Sequence, residues 1–146
     1  MAPLKIFLDA NIFIAATASS RGGSRLILEL GKGQKVKLVT VTHALVETER
    51  NVREKLGEEY LDILYHLLLE SQLEVQSITS VTPEEILFWE GVLPPKDIPI
   101  LLGALYSRSS FLVTLDRKDF ISNKKLDTRH LPFKIVTPGD FIQHYV

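Results

Sequence analysis

Leu4-Lys5-Ile6-Phe7-Leu8 is a short apolar run that passes straight into Asp9-Ala10-Asn11. The run has the length of a buried strand, and no turn residue separates it from the acid. Open α/β sheets bind ligands outside the carboxyl ends of their strands. A carboxylate placed directly after such a strand therefore points to a crevice at the sheet edge. Asn11 is expected to cap a helix over Ile12–Ala18, which would leave the Asp9 side chain free.

Outward from this stretch the same alternation repeats. Ser19-Ser20-Arg21-Gly22-Gly23 reads as a turn, Ser24 to Leu30 as a helix, and Gly31-Lys32-Gly33 as its end. Val36–Val41 is short and β-branched, a second strand. Thr42 then caps a long helix holding Leu45, Val46 and Val52, and Glu58–Glu70 continues helical with Leu61, Leu64, Tyr65 and Leu68 at helical spacing. Leu73–Val81 is a candidate third strand, and Pro83-Glu84-Glu85 suits a first helical turn. Gly91-Val92-Leu93-Pro94-Pro95 interrupts the pattern. Asp97 is expected to cap a helix over Ile98–Ser107, with Pro99 tolerated in its first turn. Phe111–Leu115 and Phe133–Thr137 are the fourth and fifth strands, and Pro138-Gly139-Asp140 opens a last helix. Repeated βαβ units predict an α/β chain: one domain over residues 1–146, an α/β/α sandwich around a parallel, five-stranded sheet.

Four acids fall where a strand or loop hands over to a helix: Asp9, Glu47, Asp97 and Asp116. Carboxylates gathered at one sheet edge repel. At an effective dielectric near 20, a pair ~5 Å apart costs roughly 3 kcal/mol. Protonation relieves that repulsion, and so does a divalent cation, for which Mg2+ with its preference for oxygen is suited. Each residue also has a plain structural reading. Asp9 and Asp97 suit helix caps. Glu47 and Asn51, or Glu49 and Arg53, form i,i+4 pairs, and spacing does not choose between Glu47 and Glu49. Asp116 and Asp119 fit a turn plus a cap, or two carboxylates facing one site with the Thr114 hydroxyl alongside.

Composition narrows the chemistry. The 146 residues contain no cysteine, which excludes disulfides, thiolate zinc sites and cysteine nucleophiles and suits a reducing cytosol. His43, His66, His130 and His144 have no zinc-site spacing, and neither a Gly-x-Ser-x-Gly elbow nor a phosphate-binding Gly-x-x-x-x-Gly-Lys loop is present. No run reaches the ~20 apolar residues of a membrane span and no signal peptide opens the chain, so a cytoplasmic protein without a membrane partner is expected. Net charge is −1, but residues 56–99 carry one Lys against nine acids, whereas residues 21–55 carry eight Lys/Arg against four. A basic rim around an acidic centre and a solvated acidic helical face both account for these counts. Phe88 and Trp89, on an apolar stretch, read as core rather than as a base-stacking platform.

Taken together, Phe7-Leu8-Asp9-Ala10-Asn11, Glu47 with Arg50-Asn51, Lys96-Asp97-Ile98-Pro99-Ile100-Leu101 and Thr114-Leu115-Asp116-Arg117-Lys118-Asp119-Phe120 resemble the PIN-domain nucleases from end to end. The closing Ile135-Val136-Thr137-Pro138-Gly139-Asp140-Phe141 looks like that family's usual end. The resemblance implies metal-dependent cleavage of RNA with Mg2+ or Mn2+ held by Asp9, Glu47, Asp97 and Asp116, and with Asn11, Thr114 and Asp119 in support. It also implies an antitoxin protein as partner, as in the toxin half of toxin–antitoxin pairs, and a homodimer. RNA phosphates would need cations, for which Arg21, Arg25, Arg50, Arg117 and Lys118 are the candidates. Two other readings compete. One is a haloacid-dehalogenase-like phosphatase with Asp9 as nucleophile, although Asn11 stands where its second Asp is needed. The other is a non-catalytic binding module on the PIN fold.

Overall fold

Ile6 and Leu8 face one side of the opening strand and Phe7 faces the other, and all three are fully buried. Such a strand needs cover on both faces, as in the middle of a parallel sheet. The computed structural model describes residues 3–77, 82–127 and 129–146. Over these the elements run β1 (Leu4–Leu8), α1 (Ala10–Ala18), α2 (Gly23–Lys32), β2 (Val36–Val41), α3 (Thr42–Asn51), α4 (Leu61–Glu70), β3 (Glu74–Gln76), α5 (Pro83–Trp89), α6 (Ile98–Tyr106), β4 (Phe111–Val113), α7 (Lys124–Asp127), β5 (Lys134–Val136) and α8 (Pro138–Tyr145). The five strands pair in parallel in the order β3-β2-β1-β4-β5, as the alternation in the sequence predicts.

Two apolar layers sandwich the sheet. Phe7, Val39, Val41 and Leu112 meet Ile98, Leu101 and Leu102 of α6 together with Trp89. On the other face Ile6, Leu8, Leu38 and Val113 meet Ile12, Phe13, Ile27, Leu64 and Phe141. The chain winds outward from β1 to β2 and β3, then returns through α5 and α6 to pair β4 on the other side of β1. The winding reverses between β1 and β4, and such a switch point leaves a crevice at the carboxyl ends of the two strands.

The long helix predicted after Thr42 is broken. α3 ends at Asn51, and Val52–Leu56 widens into a π turn closed by Gly57 N–H on Val52 O at 2.9 Å. Gly57 then adopts φ 116°, open to glycine and strained for other residues. The third strand is also shorter than Leu73–Val81: β3 covers Glu74–Gln76, and positions 78–81 lie outside the described residues. Of the nine acids in residues 56–99 only Asp97 is buried, so the acidic run is mainly solvated helical surface.

Close approach of α6 to the sheet depends on Gly103. A Cβ there would lie 2.7 Å from the Phe7 ring and 2.7 Å from Val41 Cγ1. Gly103→Ala is expected to lower stability by about 1–3 kcal/mol through overpacking, measured by thermal or urea denaturation. An unchanged melting temperature would show that α6 has room to move.

Candidate metal centre

Asp9 is the first residue beyond β1, and its backbone still belongs to the sheet, with its N–H donating to Val113 O at 3.1 Å. The side chain is buried at 5% exposure. Asp9, rather than Asn11, caps α1: its Oδ1 accepts the Ala10 N–H at 2.7 Å. Asn11 lies inside the helix and turns its amide toward the crevice. Its Nδ2 donates to Asp9 Oδ2 at 3.3 Å and to Thr114 Oγ1 at 3.2 Å, while its Oδ1 accepts the Leu115 N–H at 3.0 Å. The cap expected of Asn11 therefore falls to Asp9, whose side chain is not left free.

Thr114, just beyond β4, joins the two strand ends. Its hydroxyl donates to Asp9 Oδ2 at 2.8 Å and accepts the Asp116 N–H at 3.0 Å. Asp116 in turn caps the π turn Arg117–Ile121, its Oδ1 accepting the Asp119 N–H at 2.9 Å. That turn brings the Asp119 carboxylate back beside Asp116. Asp97 arrives from the other layer at the end of the tight turn Pro95–Asp97, at the head of α6. It makes no capping hydrogen bond, in contrast to the cap predicted from the sequence. It is 7% exposed, and its Oδ2 is buried with no hydrogen-bond partner.

Asp97, Asp116 and Asp119 each offer a carboxylate oxygen, and these oxygens lie within 4.8 Å of one another. At an effective dielectric near 20, each ionised pair at that separation costs about 3 kcal/mol. Asp9 lies outside that trio but close to it: Asp116 helps to raise the Asp9 carboxyl, and Asp9 helps to raise that of Asp97. Glu47, on α3, also lies outside the trio and bears on Asp9 only through its charge, which helps to raise the Asp9 carboxyl. The helix is registered there by Thr48, whose hydroxyl donates to Ala44 O at 2.7 Å and to Ala10 O at 3.4 Å. Glu49, one residue beyond Thr48, instead pairs with Arg53 at 3.2 Å on the surface. The sequence leaves Glu47 and Glu49 equivalent; helix rotation separates them.

Burial is the main reason the Asp9 carboxyl rises to about 6; its bonds from Thr114 and Ala10 oppose this, and Glu47 and Asp116 add to it. Asp97 rises to about 7, again chiefly by burial, with Asp9, Asp116 and Asp119 reinforcing and Lys96 opposing. An all-oxygen donor set, one buried oxygen without a partner and unrelieved mutual repulsion together fit a hard divalent cation.

The predicted cationic residues are scattered. Arg117 and Lys118 are exposed on the turn between Asp116 and Asp119, and Arg50 is exposed on α3. Arg21 is exposed in the α1–α2 turn. Arg25 is committed to the fold, its Nε and Nη2 donating to Ala16 O at 2.9 and 2.7 Å. Asn123 escaped sequence reading. It donates from Nδ2 to the backbone oxygens of Asp119 and Val92, both at 2.8 Å, and so braces the turn that holds Asp119. Backbone partners leave no side-chain pattern by which to find it.

The sign of the pH effect follows from these shifts. Both carboxyls hold protons more tightly folded than in the unfolded chain, whose ordinary value is 3.8. Their contribution to metal-free stability is therefore full below that value and is lost as pH rises through about 6 and about 7. In chelator the melting temperature is expected to fall across that window. Asp97→Asn is expected to flatten the fall and to add roughly 1–3 kcal/mol of stability above pH ~7. A variant that keeps the wild-type pH profile would contradict this.

No family model matches the sequence, and no curated protein matches it. Solved structures do. A chain of VapBC2 from Rickettsia felis, solved bound to a DNA fragment from its promoter, is 18% identical; the match covers 92% of this chain and 98% of that one, with a TM-score of 0.67. A PilT N-terminus domain protein from the hyperthermophilic archaeon Sulfolobus solfataricus P2 is 13% identical, over 96% of this chain and 92% of that one, with a TM-score of 0.57. End-to-end coverage at such low identity is agreement of fold. The chain has the fold of the PilT N-terminus, or PIN, domain.

Proposed function

We propose that the chain acts, as one domain, as a metal-dependent endoribonuclease, with Asp9, Glu47, Asp97 and Asp116 as the ligand set for Mg2+ or Mn2+. The observation that carries this reading is the meeting of carboxylate oxygens from Asp97, Asp116 and Asp119 within 4.8 Å, together with a buried, unpartnered oxygen on Asp97. A divalent cation at such a site supplies Lewis acidity toward a phosphodiester and lowers the pKa of water. The protein residues supply geometry. Thr114 and Asn11 fix the Asp9 carboxylate, Asp116 is held by its own capping bond, and Asp119 is placed to accept a proton from water or to serve as a further ligand. Arg117 and Lys118 flank the carboxylates as contacts for RNA phosphates.

A phosphatase using Asp9 as nucleophile is the weaker reading, because Asn11 stands two positions on, where such an enzyme needs a second Asp as general acid. A non-catalytic module has no need to retain a self-repelling acidic group. The likeness to a VapBC2 chain supports a toxin role with an antitoxin partner. A homodimer is part of the same proposal, supported by apolar side chains that α4 leaves in solvent, Ile63, Tyr65 and Leu69, the last at 81% exposure. No helix among the described residues is long and apolar enough to cross a membrane, in keeping with a cytoplasmic role.

Mn2+ is expected to promote cleavage of a single-stranded RNA by the wild-type chain. Asp9→Asn and Asp116→Asn are each expected to lose at least ~100-fold of that activity, the scale of removing one electrostatic element of a site, while circular dichroism stays native. Equal cleavage by wild type and Asp9→Asn would refute the ligand set. Separately, Mn2+ at 100 times its Kd is expected to stabilise the folded protein by about 2.7 kcal/mol; no thermal shift at any metal concentration would exclude the centre.

A further inference from the structure

The Phe88-Trp89 pair divides in the fold. Trp89 is core at 6% exposure, but Phe88 is 57% exposed and stands edge-on to Trp89 with ring centroids 5.0 Å apart. Arg129 lies over both rings, its guanidinium carbon 5.0 Å from the Phe88 centroid and 5.9 Å from that of Trp89. No ion pair engages Arg129 among the described residues. A guanidinium held by aromatic faces keeps its outward donors free for phosphate, and its plane free for stacking.

Beside it opens a cavity of about 440 Å3 lined by Glu90, Gly91, Val92, Lys124, Lys125 and Arg129. Its described charges are three cations against one acid. Lys125 is tied to Gly91 O at 2.9 Å, which leaves Lys124 and Arg129 as the cations available to a ligand. The patch is also joined to the acidic centre. Asn123 donates to the backbone oxygens of Val92 and Asp119 and accepts the Lys125 N–H at 3.0 Å, so one amide clamps the cavity wall to the turn carrying Asp119. Lys124 follows Asp119 by five residues, a backbone span of at most about 17 Å.

We propose that Phe88, Lys124 and Arg129 form a second contact site for single-stranded RNA, taking a base and its flanking phosphates a few nucleotides from the acidic centre. The inference rests on the ribonuclease reading but concerns a different surface. Sequence-tolerant binding of single strands combines an exposed aromatic ring with a cationic track, and this patch has both. Ile86 and Leu87, 44% and 67% exposed on the same helix, extend it with apolar surface, which makes a protein partner the competing occupant.

The test is fluorescence-anisotropy binding of a labelled oligouridylate of about 16 nucleotides to the full chain in EDTA, where no cleavage occurs. Phe88→Ala and Arg129→Ala are each expected to weaken binding about five- to tenfold. The double variant Lys124→Ala/Arg129→Ala is expected to reduce the log–log salt slope by about 1.4, the value for two lost single-strand phosphate contacts. Lys124 and Arg129 are exposed, so the double variant keeps the test readable if Phe88→Ala fails to fold. Wild-type affinity and slope in the variants overturn the inference while leaving the nuclease reading intact. Unchanged RNA binding with loss of self-association in sedimentation also overturns it, in favour of a protein interface. Weakened binding by the variants alongside a wild type that cleaves nothing in Mn2+ supports the RNA contact and refutes the nuclease reading alone.

Discussion

Two adjacent parallel strands that end side by side must deliver their next residues into the same crevice. The β1–β4 pairing does this with Asp9 and with Thr114 and Asp116, more than a hundred positions apart in the chain. Every other feature of the site depends on that register. The Thr114 hydroxyl reaches Asp9 because Leu8 is opposite Val113, and Asn11 reaches the Leu115 N–H because α1 starts at once after β1. Apolar burial on both faces of the sheet sets the register, and a slip of one residue would turn Asp9 into an apolar layer. Packing thus holds together charges that left to themselves would separate.

Holding them has an energetic cost, and the structure shows where it falls. Asp9 is compensated by hydrogen bonds from a backbone amide, a hydroxyl and an amide side chain, and burial still raises its carboxyl to about 6. Asp97 has no such support for Oδ2 and rises further, to about 7. The fold therefore keeps one side of the crevice preorganised and the other in electrostatic need. A divalent cation bound as proposed would relieve the second. This division matches a centre in which stability is given up locally for function.

Much of this was legible in the sequence because strands and acids carry local signals. Leu4–Leu8 running into Asp9, and Phe111–Leu115 running into Asp116, disclosed both the sheet and the edge at which the site lies. What escaped were features set by rotation about a helix and by backbone partners. Glu47 and Glu49 are two residues apart on one helix, and only the fold separates them: the charge of Glu47 bears on Asp9, while Glu49 pairs with Arg53. Asp97 stands at the head of α6 as a cap would, yet its side chain makes no capping hydrogen bond there. Asp119 followed Asp116 by one turn, but its place in the closest trio depends on a π turn that spacing does not announce. Arg25, counted among the cations for RNA, also closes the end of α1 through its Nε and Nη2, a role the sequence does not signal.

The most direct test of a divalent cation at the crevice is an anomalous difference map from crystals soaked in Mn2+ at pH ~8, above the raised carboxyl range. A peak among the carboxylates of Asp9, Glu47, Asp97 and Asp116, with Asp119 beside it and Asp97 Oδ2 now engaged, is the expected result. The same soak showing those side chains turned apart and no anomalous density between them would contradict a metal centre there.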